Sequence, residues 1–302
     1  MPDNVLIRVP ATTGNLGSGF DCVGMALALY NEITFKIIES GLKITIVGEG
    51  AQEIPINTDN VCIRAANRVF DKIGWRPTGL SVHMNHAIPV SRGLGSSGVA
   101  IVGGAVGANE LAGQPLPTTE IMKICSDLEG HPDNVVPSLL GGLSISGERE
   151  NTIIYQTYQI QPPLKAVVAI PEFTLDTKTA RQALPSHVTM DDAVFNLCSV
   201  GLLIGSLISG RYENLRSGMA DRLHQPFREP LIPGLSDVVQ TALDMGAHGA
   251  ALSGAGPTAI ALATEHFEEI GQGMSSAFEQ HQIKSQIRIL NIDNLGCQID
   301  PS

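Results

Sequence analysis

The sequence predicts an α+β protein of two domains, and three observations carry that expectation. Its 302 residues are twice the size of an average domain of roughly 150 residues. Alternating, β-branched runs crowd the first third, and helical patterns follow without a strict βαβα rhythm. Near mid-chain, residues 147–164 (GERENTIIYQTYQIQPPL) combine a run of charge with a Pro-Pro pair, which places the boundary between domains of 1–164 and 165–302.

Taken in order, strands are expected at residues 5–9, 32–38, 43–47 and 80–88, where apolar and β-branched side chains recur at period two. Helices are expected at 60–73, 96–111 and 118–128, the last preceded by PLPTTE, in which Thr118 or Thr119 supplies a cap. The second half opens with a strand at 165–170 and continues with helices at 177–183, 191–209 and 235–245. Two apolar runs within 250–263 are broken by SGAGP, an amphipathic helix covers 266–280, and a final strand covers 283–290. The apolar stretch 194–210 contains three Ser and three Gly and falls short of the roughly 20 residues of a membrane span, so a buried core helix is expected there.

Apolar residues make up 43% of the chain and the mean hydropathy is +0.13, which excludes disorder for its bulk. A balance of 19 basic against 30 acidic residues, net −11, argues against a nucleic-acid or anionic-membrane partner. Any phosphate must therefore be held locally. The five cysteines, Cys22, Cys62, Cys125, Cys198 and Cys297, are widely spaced and contain no CxxC, so reduced thiols in a cytoplasmic protein are expected. No basic and apolar leader opens the chain.

Charge is scarce and glycine abundant, 32 of 302 residues, and the glycines concentrate where chemistry can be read. Residues 89–98, PVSRGLGSSG, follow an expected strand and open a small-residue helix. Such a loop turns backbone N–H groups toward an anion at the positive end of a helix dipole; the alternative is a tight strand-to-helix turn. The segment has no Lys, which excludes a Walker loop. Gly93, Gly95 and Gly98 spell GxGxxG, but the following LAGQPLPTTE contains no strand, so a dinucleotide fold is disfavoured. A second loop, residues 10–21 (PATTGNLGSGFD), offers Asn15 and Asp21 to a polar ligand or forms an Asx-stabilised turn. A third, LSGAGPT at 252–258, is a tight turn or an anion nest. A fourth, EGHPDN at 129–134, gathers two carboxylates, an imidazole and an amide. Glu129 suits Mg²⁺, a hard cation that takes one or two carboxylates plus phosphate oxygens, whereas His131 is either functional or a hydrogen-bonded structural imidazole.

Together, in this order, the four segments resemble the GHMP kinase superfamily. PATTGNLGSGFDCVGMAL (10–27), the 89–98 loop, EGHPDNVVP (129–137) and LSGAGPT (252–258) match its motifs, joined by TxxxRxxLP at 177–185 and DxxHxPxR at 221–228. The resemblance implies an N-terminal nucleotide-binding domain and a C-terminal ferredoxin-like α+β domain with the substrate between them. It further implies ATP-dependent phosphorylation of the L-homoserine hydroxyl, a step toward threonine, with Mg²⁺ and in a homodimer. By position, Pro89, Val90, Ser91, Arg92, Gly93, Leu94, Gly95, Ser96 and Ser97 would wrap the ATP phosphates. Ser97 and Glu129 would hold Mg²⁺, and Asn60 would approach the adenine. L-Homoserine would lie against Asn15, Asp21, His131, Asn134, Thr177, Arg181, Arg228 and Gly254, with Asn15, Asn134 and Glu129 organising catalysis. Asp21 suits an ammonium, and the planar forks of Arg181 and Arg228 suit a carboxylate. No general base is evident. Gly14, Ser18 and Gly98 depart from the common Ala, Pro and Ala of the pattern.

Three other readings stand beside this one: a GHMP kinase for a different small alcohol, a non-catalytic ligand-binding member, and a nicotinamide-dependent oxidoreductase. The first is disfavoured by the arginine pair, the second by the presence of both Ser97 and Glu129, and the third by the missing strand.

Overall fold

The computed structural model describes residues 2–300. Strands β1 (Asn4–Asn15) and β2 (Gly19–Ile38) form a long antiparallel hairpin whose inward residues Val5, Ile7, Val9 and Ala11 are buried. The 10–21 segment, expected as a loop, is therefore mostly strand: Ala11 through Gly14 pair with Leu27 through Gly24 after a register shift at Pro10, and only the tip turns. Small residues buried on both faces erase the alternation that announces a strand, and Pro10 at the shift gives up a donor that the ladder does not use there.

Strand β3 (Gly41–Gly48) runs parallel to β4 (Gly79–His86), with helix α1 (Val61–Ile73) crossing between them. The latter half of β2 pairs with β4, while residues 23–25 near its start pair with β5 (Leu143–Arg149). Strand β5 turns directly into β6 (Thr152–Tyr158). The charged stretch that marks the expected domain boundary is thus largely a hairpin, its turn made by Glu150 and Asn151 at φ values of 49° and 61°. Helix α2 (Ser96–Leu111) is buried almost all round, as its uniformly apolar, glycine-rich sequence requires. It packs against α1, α3 (Thr118–Glu129) and α4 (Val135–Leu140). Thr118 and Thr119 lie inside the first turn of α3, and the cap position is Pro117.

The second sheet begins at β7 (Lys165–Pro171), after which come α5 (Thr177–Gln182), α6 (Met190–Ser209), α7 (Leu215–Gly218), α8 (Gln225–Arg228) and α9 (Leu235–Asp244). Strands β8 (Gly249–Leu252) and β9 (Ala259–Ala263), helix α10 (Phe267–Gln280) and β10 (Ser285–Asn291) complete it in the antiparallel order β10-β7-β9-β8. That order, with α9 and α10 packed together, is ferredoxin-like. Val167, Ala169 and Ala261 meet the helices, whereas Ala166, Val168 and Leu262 join the core of the first sheet. After β10 the chain returns: β11 (Gln298–Asp300), too short to be read from sequence, pairs with β1.

Helix α6 overturns the expectation of a buried core helix. It buries Asn196, Ser199, Leu203 and Leu207 and exposes Met190 (77%), Val194 (56%), Leu197 (70%) and Ile208 (45%). Gly201 and Gly205 lie on the same open stripe, where an added Cβ would meet nothing within 4 Å. Its periodicity is helical, but apolar residues occupy both faces, so sequence alone cannot tell which one meets the core.

Candidate active site

The buried helix α2 aims its N-terminus at a cleft between the two halves, with a cavity volume of about 330 Å³. Strand β4 delivers the glycine loop. Asn31 pins its end by accepting the N–H groups of Ala87 and Ile88 at 2.9 and 3.0 Å. Gly93 and Gly95 then take φ values of +80° and +69°. A Cβ at Gly93 would lie 2.3 Å from the Ser253 carbonyl, and one at Gly95 would lie 1.9 Å from Thr12 Oγ1, so only glycine fits. No side chain caps α2, which leaves its first N–H groups and dipole for an anion.

Val90, Ser91, Arg92, Gly93, Gly95, Ser96 and Ser97 line the cleft. Leu94 does not: it is fully buried in the core, where it anchors the loop from behind. Pro89 also lies outside the lining. Arg92 spends its guanidinium on the carbonyls of Pro171 and Val90 at 2.9 and 3.2 Å, tying the loop to the second half instead of presenting charge to phosphate.

Three loops interlock behind the cleft. Ser253 Oγ lies 2.6 Å from the Gly93 carbonyl and 2.9 Å from Thr13 Oγ1, the Gly254 N–H donates to the Gly14 carbonyl, and Asn15 Nδ2 donates to the Gly254 carbonyl at 2.9 Å. Asn15 Oδ1 accepts the Asp21 N–H, so both of its polar atoms are engaged. Asn134 is held likewise: its Oδ1 accepts from Thr12 Oγ1 at 2.7 Å and its Nδ2 donates to Asp133 at 3.2 Å.

The charged residues gather at the mouth. Arg181, carried by α5, donates two hydrogen bonds to Asp21, and Thr177 at the start of α5 lines the same wall. Arg228 is 1% exposed and donates to the carbonyls of Gly254 and Ala180 at 3.1 and 3.3 Å, with no carboxylate in salt-bridge range among the described residues. Desolvation lowers its pKa. The rest of the DxxHxPxR motif is scaffolding, since Asp221 accepts the N–H groups of residues 223–225 and His224 lies 2.7 Å from the Gly17 carbonyl.

His131 Nδ1 sits 2.5 Å from Asp133 Oδ1. Burial alone would lower the His131 pKa, but the hydrogen bond and charge of Asp133 overcome it and push it up to about 9. Asp133, 2% exposed, lines the cleft as well; it is one of the two carboxylates noted in 129–134, to which the sequence assigned no role. Ser97 Oγ donates to Glu129 Oε2 at 2.8 Å, and burial raises the Glu129 pKa against that bond. No cluster of three or more acidic, His or Cys side chains that could hold a metal occurs among the described residues. A hydroxyl and one carboxylate facing a phosphate loop nevertheless fit Mg²⁺, which completes its shell with phosphate oxygens and water.

Asn60 also lines the cleft, but its side chain caps α1, accepting from Cys62 N at 2.9 Å and donating to the Pro55 carbonyl at 2.8 Å.

Residues 60–142 match the family model of the GHMP kinases N terminal domain, and residues 203–280 match that of the GHMP kinases C terminal. Homoserine kinases of Moorella thermoacetica and Crocosphaera subtropica are each 44% identical to the chain, covering 97% and 98% of it and 99% and 97% of their own lengths. The crystal structure of homoserine kinase from Cytophaga hutchinsonii superposes with a TM-score of 0.90 at 28% identity, over 99% of this chain and 98% of that one. A mevalonate kinase from L. major, solved with R-mevalonate, shares the fold at a TM-score of 0.72 and 18% identity, over 98% and 97% of the two chains.

Proposed function

Because the chain belongs to the homoserine kinases of the GHMP kinase family, we propose that the cleft between its two halves is where it phosphorylates L-homoserine. The enzyme transfers the γ-phosphoryl group of ATP to the L-homoserine hydroxyl, giving O-phospho-L-homoserine and ADP, a step toward threonine. The observation that carries the assignment of the cleft is that Asp21, Arg181 and buried Arg228 line the same cavity as the uncapped N-terminus of α2. An anion cradle and an amino-acid cradle thus share one cavity.

The cradle suggests the roles. Arg228, desolvated and lacking a carboxylate partner, receives the substrate carboxylate, with Arg181 as its second fork. Asp21 receives the ammonium. Asn134 and His131 face the hydroxyl, and Gly254 holds Asn15 and Arg228 in place through its carbonyl. Ser97 and Glu129 would hold Mg²⁺, which when bound neutralises phosphate charge. The N–H groups at the start of α2 stabilise the phosphoryl group as its bond to the leaving oxygen breaks and a bond to the homoserine oxygen forms. The hydroxyl proton leaves late, to water, and no side chain is assigned as general base. Phosphoryl transfer through a loose transition state depends mainly on positioning and charge. Asn15 and Asn134, both held by hydrogen bonds from neighbouring loops, supply that positioning.

The exposed stripe of α6 supports a homodimer. It is uncharged apart from Asp191, and in an antiparallel pair crossing at Gly201 the Leu197 of each copy would fall on Gly205 of the other. Five free cysteines and the acidic net charge suit a cytoplasmic enzyme that binds no nucleic acid. Phosphorus NMR of the protein with ATP and L-homoserine tests the activity: one phosphomonoester on the homoserine oxygen is expected, and inorganic phosphate alone would refute the assignment.

A further inference from the structure

Arg92 is the one basic residue of 89–98, and a cation in a phosphate loop ordinarily meets phosphate. Its guanidinium is committed elsewhere. Nε donates to the Pro171 carbonyl at 2.9 Å and Nη2 to the Glu172 carbonyl at 2.5 Å, a planar fork laid across the end of β7, while Nη1 donates to the Val90 carbonyl within the loop. The residues on either side of Arg92 are held in the same way. The Leu175 N–H donates to the Ser91 carbonyl at 3.2 Å, the Thr258 N–H to the Arg92 carbonyl at 3.3 Å, and Ser253 Oγ to the Gly93 carbonyl at 2.6 Å. Three consecutive residues of a loop that arrives from β4 are thus gripped by the second half of the chain.

What grips them leads to the amino-acid cradle. Residues 172–176 run from β7 to α5, anchored by Leu175 in the core of the second sheet and by Asp176, which caps α5 through the Thr179 N–H at 2.9 Å. Helix α5 then carries Thr177 and Arg181 to the cleft wall. Residues 253–258 carry Gly254, whose carbonyl holds Asn15 and Arg228. One guanidinium therefore ties the segment that begins the phosphate cradle to the segment that begins the amino-acid cradle. In-line transfer demands a fixed gap between the two, and a misplacement of about 1 Å costs on the order of 100-fold in rate.

Resting on the reading of the cleft given above, we propose that Arg92 is a positioning residue, which touches neither substrate and sets the gap across which the phosphoryl group passes by fixing the phosphate loop against the segment that carries α5. Each cradle binds its own ligand without it, and only their mutual placement depends on it.

Positioning and phosphate contact give different kinetics. In Arg92→Ala the single-turnover rate at saturating ATP and L-homoserine should fall about 10- to 100-fold, while the dissociation constants of ADP, inorganic tripolyphosphate and L-homoserine, each titrated alone by calorimetry, stay within about twofold. Arg92→Lys should be nearly as slow although it restores the charge, because one ammonium cannot reproduce the fork across two carbonyls. A phosphate contact predicts the reverse: tripolyphosphate binding weakened about 10-fold in Arg92→Ala and largely recovered in Arg92→Lys, since lysine serves phosphate as a point charge. Should neither variant fold, the wild-type Arg92 Nε–H replaces them: its exchange with water should be equally slow with and without tripolyphosphate, because the Pro171 carbonyl holds it in both states. A single-turnover rate within about twofold of wild type in Arg92→Ala, tripolyphosphate binding that follows the charge at position 92, or Nε–H exchange that slows on adding tripolyphosphate would overturn the proposal. Unchanged L-homoserine binding in Asp21→Asn would instead overturn the reading of the cleft on which it rests.

Discussion

Asp21 and Arg181 meet across the mouth of the cleft through two hydrogen bonds of 2.8 and 2.9 Å, joining residues 160 positions apart in the chain. The pair is partly exposed, so it contributes only about 0–1 kcal/mol to stability. Its significance is chemical. A zwitterion carries both partners' counterparts, so L-homoserine can exchange the internal pair for two external ones.

Asp21→Asn should therefore raise the KM for L-homoserine about 10- to 100-fold, the cost of a charge-assisted contact, while KM for ATP and the melting temperature hardly move. Steady-state kinetics with each substrate varied in turn checks this. Equal changes in both KM values would place Asp21 outside the amino-acid cradle.

Arg228 is the opposite case, a desolvated guanidinium held by carbonyls. Arg228→Lys should lower kcat/KM for L-homoserine by about 100-fold, because an ammonium cannot reproduce the planar fork. It should also cost about 1–3 kcal/mol of stability by leaving buried carbonyl groups unmatched. Urea unfolding alongside kinetics separates the two effects.

Two glycines of one motif should behave in opposite ways. Gly95→Ala forces a Cβ to within 1.9 Å of Thr12 Oγ1 at a positive φ, displacing the hydroxyl that holds Asn134. It should cost about 1–3 kcal/mol and impair turnover. A Cβ at Gly98 meets nothing closer than Asn134 Cβ at 3.4 Å, an ordinary contact. Gly98→Ala should stabilise the protein by up to about 1 kcal/mol, the helix-propensity difference, and preserve activity. Thermal melting of both variants decides.

The His131–Asp133 pair makes stability depend on pH. The folded-state pKa of about 9 lies above the ordinary 6.5, so the contribution is fully present below pH 6.5 and is lost as pH rises through about 9. Unfolding free energy should fall across that window, and Asp133→Asn should flatten the fall. A slope unchanged in the variant would mean that another group is responsible.

Leu197→Glu on the exposed face of α6 should convert a dimer to a monomer in sedimentation velocity without unfolding it, since Leu197 is 70% exposed and supports no core. A wild-type monomer at micromolar concentration would remove α6 as the interface.

Much of the candidate site was legible because its chemistry is written in short segments. Asn15, Asp21, Arg181 and Arg228 are far apart in sequence, yet each sits in a recognisable pattern and all four line one cleft. The helices were legible where an amphipathic stripe was distinct, as with α10, expected at 266–280 and observed at Phe267–Gln280. What was lost lacked a periodic signal. The glycine-rich half of β1 is buried on both faces, β11 has three residues, and the β5–β6 hairpin hides its alternation under surface charge. Leu94 belonged to a binding motif but packs into the core, a distinction that spacing cannot make.

The most direct test of the account is a coupled assay of ADP release with L-homoserine, with mevalonate and with neither. Mg²⁺-dependent ADP release is expected with L-homoserine alone, matched mole for mole by O-phospho-L-homoserine. Release that is independent of L-homoserine, equal release with mevalonate, or no release at all would contradict it.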